Sequence, residues 1–313
     1  MVGAWRHEAS TLAGSELGGW PEGPWVTRLL RRVRLPAAMV APLGFVSPRC
    51  RILAEDLAFW AGARGEATAP EWRRLTSSYS VLVYHRFAGE LKPGQERIDI
   101  SPRRFQRQVR ALRLLGFRSL DPDRLLAFHR GEEEVPRRSF VLTVDDATAD
   151  SVEPLRRAAG WNPQLFVPTA ELGGTAHWLD GEPVATWSEV EELAAAGVAI
   201  GSHTRHHHRL SKLSGPLREA ELAGSLTDLR GRLPRPLAVI AYPNGDHDDA
   251  VCEATRAAGY ELGFTTEKGR NGAGTDPYRL RRVSIHGADG ALAAVWKAAT
   301  GQALPRLWPR LRR

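Results

Sequence analysis

Two adjacent carboxylates, Asp145 and Asp146, directly follow a short apolar and β-branched run at residues 139–144. Such a run is typical of a strand that is buried on both faces of a parallel sheet. Carboxylates at the carboxyl end of that strand would lie where α/β sheets place their sites. Because neighbouring side chains on an extended chain point in different directions, one Asp can bind a metal ion while the other stays free. A solvated Asp pair at the start of a loop is the alternative.

A histidine-rich segment at residues 203–208 follows a second apolar run, Val198-Ala199-Ile200. Imidazole is a common ligand for zinc and similar metals. His203 and His207 stand four residues apart, so they share one face if the chain turns helical. Together with one Asp they would supply the three protein ligands of a catalytic metal site that keeps a position open for water. The alternative is a solvated histidine run with incidental metal affinity.

Three separated motifs resemble, in order, those of the polysaccharide deacetylases, the NodB-homology group of carbohydrate esterase family four. They are Thr143-Val144-Asp145-Asp146-Ala147, His203-Thr204-Arg205-His206-His207 and Ala241-Tyr242-Pro243-Asn244-Gly245. The resemblance covers about residues 80–290. It implies an α/β fold with a distorted (β/α)7-type barrel. It also implies a hydrolase that removes N-acetyl groups from an N-acetylated sugar in a polysaccharide or glycoconjugate.

The resemblance assigns the main roles residue by residue. It implies one divalent metal ion, zinc with nickel or cobalt as alternatives, held by Asp146, His203 and His207. Such an ion activates a water for attack on the acetamide carbonyl. Asp145, adjacent to the ligand but not bound to the ion, then takes the proton of that water.

Further candidates surround these four residues. Backbone N–H groups in the turn at Tyr242 and Asn244 could hydrogen-bond the developing oxyanion. His85 follows a predicted strand and would reach the rim of the site, with a purely structural histidine as the alternative. Trp178, in the long loop 168–185, could stack on a sugar ring, as could Trp187, although a structural Trp is an equal reading.

The sequence departs from the family pattern at three places. Val144 and Ala147 replace the usual Phe and Gly around the Asp pair, and Ala147 would be strained if its position needs a positive φ. Ala241 stands where many members carry an Arg that orients the catalytic Asp. Arg282, in the last predicted strand, could reach the site and substitute for it. The general acid is assigned to His286, in Ser284-Ile285-His286, with His206 and His208 as alternatives.

Strands alternate with helices from about residue 80, and this order predicts parallel pairing. We therefore predict an accessory N-terminal arm at residues 1–79, the deacetylase domain at 80–300 and a basic tail at 301–313. Within the arm, helical periodicity runs from Ile52 to Trp60. The apolar run at residues 35–46 holds two prolines and is shorter than the roughly 20 residues that span a bilayer.

Net charge is concentrated in the two ends of the chain. Of the formal +7, residues 81–300 contribute nothing, with 29 basic and 29 acidic residues, whereas residues 301–313 hold four Arg and no acid. A neutral core argues against nucleic-acid binding, and basic ends favour peripheral contact with an anionic membrane surface. Two cysteines give no disulfide framework. No standard signal peptide is recognised, so a cytoplasmic or membrane-peripheral location is expected.

Two rival functions stay open at the level of the sequence. One is a metal-dependent hydrolase of a non-sugar amide on the same scaffold. The other is an inactive carbohydrate-binding relative, which Ala147 and the absent Arg at position 241 favour. The intact Asp pair and the His203–His207 spacing oppose that second reading, because a binding protein needs neither three metal ligands nor a base.

Overall fold

The computed structural model describes residues 30–31, 48–89 and 98–304. The predicted apolar run at residues 35–46 and most of the basic tail lie outside these residues. The helices are α1 (Pro48–Glu66), α2 (Ala69–Thr76), α3 (Pro102–Leu114), α4 (Pro122–Arg130), α5 (Val152–Arg157), α6 (Trp187–Ala195), α7 (Gly215–Arg232), α8 (Asp249–Ala257) and α9 (Ala291–Thr300).

A nine-stranded sheet forms the centre of the molecule. Its strands are β1 (Ser78–Tyr84), β2 (Arg118–Ser119), β3 (Ser139–Val144), β4 (Gln164–Val167), β7 (Ala199–Ser202), β8 (Val239–Ala241), β9 (Leu262–Phe264), β10 (Arg270–Gly272) and β11 (Val283–Ser284). A separate antiparallel pair consists of β5 (Thr175–Ala176) and β6 (Glu182–Pro183).

The predicted parallel pairing is confirmed along the order β1-β3-β4-β7-β8-β9. The segment 280–284 then pairs in parallel with both edges of this series. Leu280 bridges Phe264 at the end of β9, and Val283 lies opposite Leu82 of β1. The sheet therefore curls into the distorted barrel that the family resemblance implies. β10 adds an antiparallel strand on β1.

The central strands of the sheet are short and buried. Every residue of β3 and β4 is buried, as expected of strands without a solvent face. Gly201 of β7 lies so close to its neighbours that a Cβ would stand 2.8 Å from the Val239 carbonyl oxygen. Glycine is thus required where β7 packs against β8.

The helix before β7, α6, begins with a capping box at Thr186 and Glu189, although Ser188 and Glu191 show the same sequence pattern two residues later. Thr186 Oγ1 accepts the N–H of Glu189 at 3.3 Å, and Glu189 Oε2 accepts the N–H of Thr186 at 2.8 Å. Two overlapping Ser/Thr-x-x-Glu patterns fit this stretch. The earlier one is used because α6 starts at Trp187 and buries Val190 on its inner face.

The predicted helix at Ile52–Trp60 is confirmed as part of α1, and β1 begins at Ser78, before the predicted boundary at residue 80. Trp60 of α1 meets Trp72 of α2 edge to face, with ring centroids 6.4 Å apart. Ser77 Oγ donates to the Val135 carbonyl at 3.4 Å. The end of α2 therefore contacts the loop before β3, at the amino end of the parallel strands and opposite the Asp pair.

Candidate metal centre

The Asp pair leaves the carboxyl end of β3 in a turn with unusual backbone angles. The Asp145 N–H still donates to the Tyr84 carbonyl of β1 at 3.0 Å, so this residue continues the sheet. Asp146 and Ala147 have φ of 70° and 50°, in the left-handed region. Ala147 thus adopts the conformation that glycine favours, at a cost of roughly 1–2 kcal/mol. The turn separates the two carboxylates into different directions.

His203 follows β7, and each of its two ring nitrogens faces an oxygen atom. Its Nδ1 donates to the Ala241 carbonyl of β8 at 2.6 Å. Its Nε2 lies 3.5 Å from Asp146 Oδ1. A proton on Nδ1 leaves the Nε2 lone pair directed towards Asp146, which is the tautomer that a metal ligand needs.

His207 reaches the same carboxylate, with its Nε2 3.2 Å from Asp146 Oδ1. The expectation that His203 and His207 meet on a helical face is wrong, because this segment is an irregular loop. Thr204 and His207 have φ of 66° and 59°. Thr204 Oγ1 accepts the His207 N–H at 3.1 Å, and this turn brings the second imidazole beside the first.

The geometry of the three side chains fits a divalent metal ion. The ligand atoms of Asp146, His203 and His207 all lie within 4.8 Å of one another. Ligands at 2.0–2.2 Å from a tetrahedral zinc ion stand about 3.3 Å apart. The observed separations of 3.2 and 3.5 Å from Asp146 Oδ1 match that spacing. Two imidazoles and one carboxylate also form a donor set that suits zinc and its neighbours.

Trp178 lies against the metal-ligand candidates. Its indole Nε1 donates to Asp146 Oδ1 at 2.9 Å. Its ring stacks on His207, with centroids 4.2 Å apart and planes 8° apart. The residue comes from the β5–β6 region of the long loop, which the sequence singled out. Trp178 therefore orients two of the three ligands. Trp187 instead packs under Arg232, whose guanidinium carbon lies 5.4 Å from the ring centroid.

Arg282 and Asp145 form a buried ion pair beside the metal-ligand group. The Arg282 Nη1 donates to Asp145 Oδ1 at 2.7 Å, and its Nε donates to the Thr265 carbonyl at 2.8 Å. Both side chains are almost fully buried. Arg282, which the sequence analysis offered as a substitute for the Arg that is absent at position 241, thus contacts Asp145.

Electrostatics keep both carboxylates ionised. Burial raises the pKa of Asp145, but Arg282 and His203 outweigh it and hold that pKa below its ordinary value. Burial also raises the pKa of Asp146, while hydrogen bonds with His203 and His207 bring it well below the ordinary value. Burial lowers the pKa of His203, yet the two Asp raise it overall, whereas for His207 burial prevails and the pKa is lowered.

The turn after β8 offers one free backbone donor, which belongs to Asn244. The Tyr242 N–H donates to the Phe264 carbonyl at 3.0 Å and is committed to the sheet. The Gly245 N–H donates to the Tyr242 carbonyl, and the Asp246 N–H donates to the Pro243 carbonyl. Within the described residues no hydrogen bond uses the Asn244 N–H, which sits on an exposed residue with φ of 57°. Of the two predicted turn donors, only Asn244 is available.

His85 and His286, the two candidate histidines that follow strands β1 and β11, lie opposite each other. Val83 of β1 is opposite Ser284, and the Ile285 N–H donates to the Val83 carbonyl at 2.9 Å. This register places His286 beside His85, past the carboxyl ends of the two strands. His85 Nδ1 is buried and has no hydrogen-bond partner among the described residues. His85 also contributes to lowering the pKa of both Asp145 and Asp146.

Glu221 is a residue of the site that the sequence analysis overlooked. It lies on α7, and its Oε2 accepts the backbone N–H groups of Arg205 and His206, each at 2.9 Å. It thereby holds the loop between the two histidine ligands. A signal existed in the sequence, because Glu221 shares the buried face of α7 with Leu222, Leu226 and Leu229. A carboxylate on an apolar helical face needs a buried partner.

Comparison with known proteins shows what the chain resembles. The sequence model of the family described as "Polysaccharide deacetylase" matches residues 132–263. The protein YxkH of Bacillus subtilis (strain 168), named for the same family, is 23% identical over 208 residues, which are 66% of this chain and 70% of that protein. The poly-β-1,6-N-acetyl-D-glucosamine N-deacetylase of Escherichia coli (strain K12) is 22% identical over 233 residues, 62% of this chain and 34% of the enzyme.

Solved structures share the fold. The Streptococcus pyogenes deacetylase PplD, in complex with acetate, superimposes with a TM-score of 0.62 at 20% identity, covering 71% of this chain and 98% of that one. IcaB from Ammonifex degensii gives a TM-score of 0.61 at 24% identity, covering 70% and 97%. The barrel described above is therefore that of the NodB-homology proteins.

Proposed function

We propose that this chain, which the polysaccharide deacetylase model matches over residues 132–263, is a metal-dependent enzyme that removes N-acetyl groups from an N-acetylated glycan. The observation that carries the proposal is one cluster of side chains. It joins three metal-ligand candidates, Asp146, His203 and His207, to a fourth residue, Asp145, which is ionised and paired with Arg282.

Asp146, His203 and His207 would hold the ion. When bound, a divalent ion supplies an acidified water and polarises the acetamide carbonyl. We assign zinc, with nickel or cobalt as alternatives, from the two imidazoles in the donor set. Trp178 and the Ala241 carbonyl keep the ligand atoms in place before an ion arrives, so little reorganisation is needed on binding.

Asp145 acts as the base in this proposal. Its Oδ1 is occupied by Arg282, which leaves Oδ2 to take a proton from the attacking water. Arg282 keeps the carboxylate ionised and fixes its rotation. Because Arg282 also donates to Thr265, it cannot swing away without losing a second buried hydrogen bond.

The Asn244 N–H would donate to the oxyanion that develops on the acetyl carbonyl. A backbone donor held by a closed turn needs no reorganisation during the reaction. The amine of the sugar must gain a proton as it leaves, and we assign this step to His286. His85, on the neighbouring strand end, would face the substrate at the same rim.

The names of the relatives support our proposal for the substrate class. The Escherichia coli enzyme acts, by its name, on poly-β-1,6-N-acetyl-D-glucosamine, and this chain spans about a third of its length. The Streptococcus pyogenes structure holds acetate, which is the small product of such a reaction. We propose a polymer or conjugate of N-acetylated hexosamine as the substrate of this chain as well.

We further propose that the basic ends bring the enzyme to an anionic membrane surface. The tail after residue 304 carries four Arg and no acidic residue. Next to it, α9 exposes Leu292 and Trp296, with 82% and 38% of their surface open to solvent. Within the part of the chain that the structure describes, no helix is both long and apolar enough to cross a membrane.

The test is release of acetate from N-acetylglucosamine oligomers by zinc-reconstituted protein, with Asp145→Asn as the matched variant. We expect turnover in the wild type, loss of turnover by at least about a hundredfold in Asp145→Asn, and unchanged zinc content in that variant. Simple acyl amides serve as a second substrate set, and faster hydrolysis of these would identify a non-sugar amide hydrolase. Zinc-loaded protein without turnover on either set would leave a carbohydrate-binding protein.

A further inference from the structure

A second cluster of side chains that could bind a metal ion lies beside the first. It is on the solvent-exposed side of the loop at residues 203–208, which we call the histidine loop. It consists of His206, His208 and Glu221. Glu221 Oε1 lies 2.6 Å from His206 Nδ1 and 3.6 Å from His208 Nδ1. The ligand atoms of all three residues lie within 4.8 Å of one another. The two distances, 2.6 and 3.6 Å, lie on either side of the roughly 3.3 Å between neighbouring ligands of an ion with bonds of 2.0–2.2 Å.

The carboxylate of this cluster is held in place by the backbone. Its Oε2 accepts the N–H groups of Arg205 and His206 at 2.9 Å each. The Glu221 side chain is only 8% exposed, so it has little freedom to turn away. Oε1 is the oxygen left to face the two imidazoles.

The two imidazoles, in contrast, are accessible from solvent. The His206 side chain is 41% exposed and the His208 side chain 51% exposed. Their rings stack with centroids 5.7 Å apart and planes 25° apart, and in both rings Nδ1 is the nitrogen that contacts Glu221 Oε1. An ion has an open path to the cluster, and water can complete its coordination. His206 must then carry its remaining proton on Nε2, where solvent can accept a hydrogen bond from it.

We propose that His206, His208 and Glu221 form a second metal site, which binds one divalent transition-metal ion of the zinc, nickel or copper type. Two imidazoles and one carboxylate suit these ions and not magnesium or calcium, which prefer oxygen ligands. This site does not depend on the deacetylase activity. His206 and His208 flank His207, so an ion at this site fixes the backbone on both sides of a ligand of the first site.

The experiment titrates zinc into the full chain, which has been freed of metal and carries no histidine tag. Calorimetry measures each binding step, and metal analysis after dialysis gives the number of zinc ions bound per chain. We expect two zinc ions per chain in the wild type and one in His206→Gln/His208→Gln. His208→Gln alone should weaken the second binding step by at least about tenfold. Arg209→Gln changes an exposed residue of the same loop that offers no ligand, and it should bind two ions.

Each site has its own diagnostic. His203→Ala removes a ligand of the first site, and we expect it to keep one ion, which is then lost when His206 and His208 are also replaced. A wild type that binds a single ion, retained in His206→Gln/His208→Gln, overturns the second site. A second ion that survives in that variant overturns it too. A single ion lost in His206→Gln/His208→Gln and kept in His203→Ala supports the second site and contradicts the first.

Discussion

Arg282 neutralises the one buried carboxylate of the site that no metal ion would bind. Arg282→Met leaves Asp145 buried and uncompensated, so we expect a loss of about 3–5 kcal/mol in the free energy of unfolding. Turnover should fall by at least about a hundredfold, because an unpaired Asp145 takes up a proton and can no longer act as a base. Urea denaturation and acetate release measure the two effects.

The double variant Asp145→Asn/Arg282→Met separates stability from chemistry. Removing both partners takes the uncompensated charge away, so stability should recover in part relative to Arg282→Met. Activity should not recover, because the base is gone. Equal stability of the single and double variants would show that the ion pair is not what holds Arg282 in the core.

Trp178 offers a test of how the ligands are oriented. Trp178→Phe keeps an aromatic ring over His207 but removes the N–H that donates to Asp146 Oδ1. We expect zinc affinity at the first site to fall by about 10–100-fold. Competition with a zinc chelator of known affinity measures it. Trp187→Phe is the matched control, since Trp187 packs under Arg232, and it should bind zinc like the wild type.

At the scale of the element, β7 positions His203 through its close packing. A Cβ at Gly201 would stand 2.6 Å from the Phe166 ring and 2.8 Å from the Val239 carbonyl oxygen. Gly201→Ala must therefore push β7 away from β4 or β8, and we expect a cost of about 1–3 kcal/mol together with weaker zinc binding. Gly215→Ala, where nothing lies within 4 Å of the new Cβ, should cost nothing. Thermal melts of the two variants give the comparison.

α4 is tied to β1 by a histidine that must stay neutral. His129 Nε2 accepts from the Tyr79 hydroxyl at 2.7 Å, and burial lowers the His129 pKa to about 4 from an ordinary 6.5. The unfolded chain therefore takes up this proton first as the pH falls. The stability that His129 contributes is complete above pH 6.5 and is lost between about pH 6.5 and 4, by about 2–3 kcal/mol in total.

His129→Gln checks this directly, because glutamine can accept the same hydrogen bond without titrating. From pH 7 to pH 4.5, the unfolding free energy of the wild type should fall by about 2–3 kcal/mol relative to that of the variant. Acidic groups elsewhere titrate equally in both proteins and cancel. A difference that does not change with pH would mean that His129 keeps an ordinary pKa in the folded protein.

The histidine loop shows where reasoning from sequence stops at the element scale. The spacing of His203 and His207 is visible in the sequence, and the two rings do meet at Asp146. The helix invoked to bring them together is absent. The loop is shaped instead by left-handed backbone angles at Thr204 and His207 and by the carboxylate of Glu221 on α7. Left-handed backbone angles at non-glycine residues leave no periodic trace in a sequence. The place of Glu221 on the buried face of α7 predicts a polar partner but not which segment supplies it.

At the scale of the whole molecule, the alternation of strands and helices predicted the parallel pairing, and the resemblance of three motifs to the polysaccharide deacetylases predicted the barrel. Two features needed the folded chain. One is the closure of the curled sheet by the segment 280–284, which pairs with both β9 and β1. The other is which of the two turn residues, Tyr242 or Asn244, keeps a free N–H. The Tyr242 N–H is used in the pairing of β8 with β9. Both depend on register between strands that are far apart in sequence.

The charge of the whole molecule leads to a prediction about where it works. Residues 81–300 are neutral, so attraction to an anionic membrane must come from the ends. Each Arg near such a surface contributes about 1 kcal/mol at low salt. Replacing Arg306, Arg310, Arg312 and Arg313 by Gln should therefore weaken binding to vesicles containing phosphatidylserine by at least about tenfold.

Binding of the wild type to these vesicles should itself fall as the salt concentration rises, because screening shortens the range of the attraction. Sedimentation with vesicles of pure phosphatidylcholine is the control, and acetate release from a short soluble oligomer should be the same for both proteins. Equal sedimentation of wild type and variant would assign any membrane contact to Leu292 and Trp296 on α9, and the basic tail would then have no part in it.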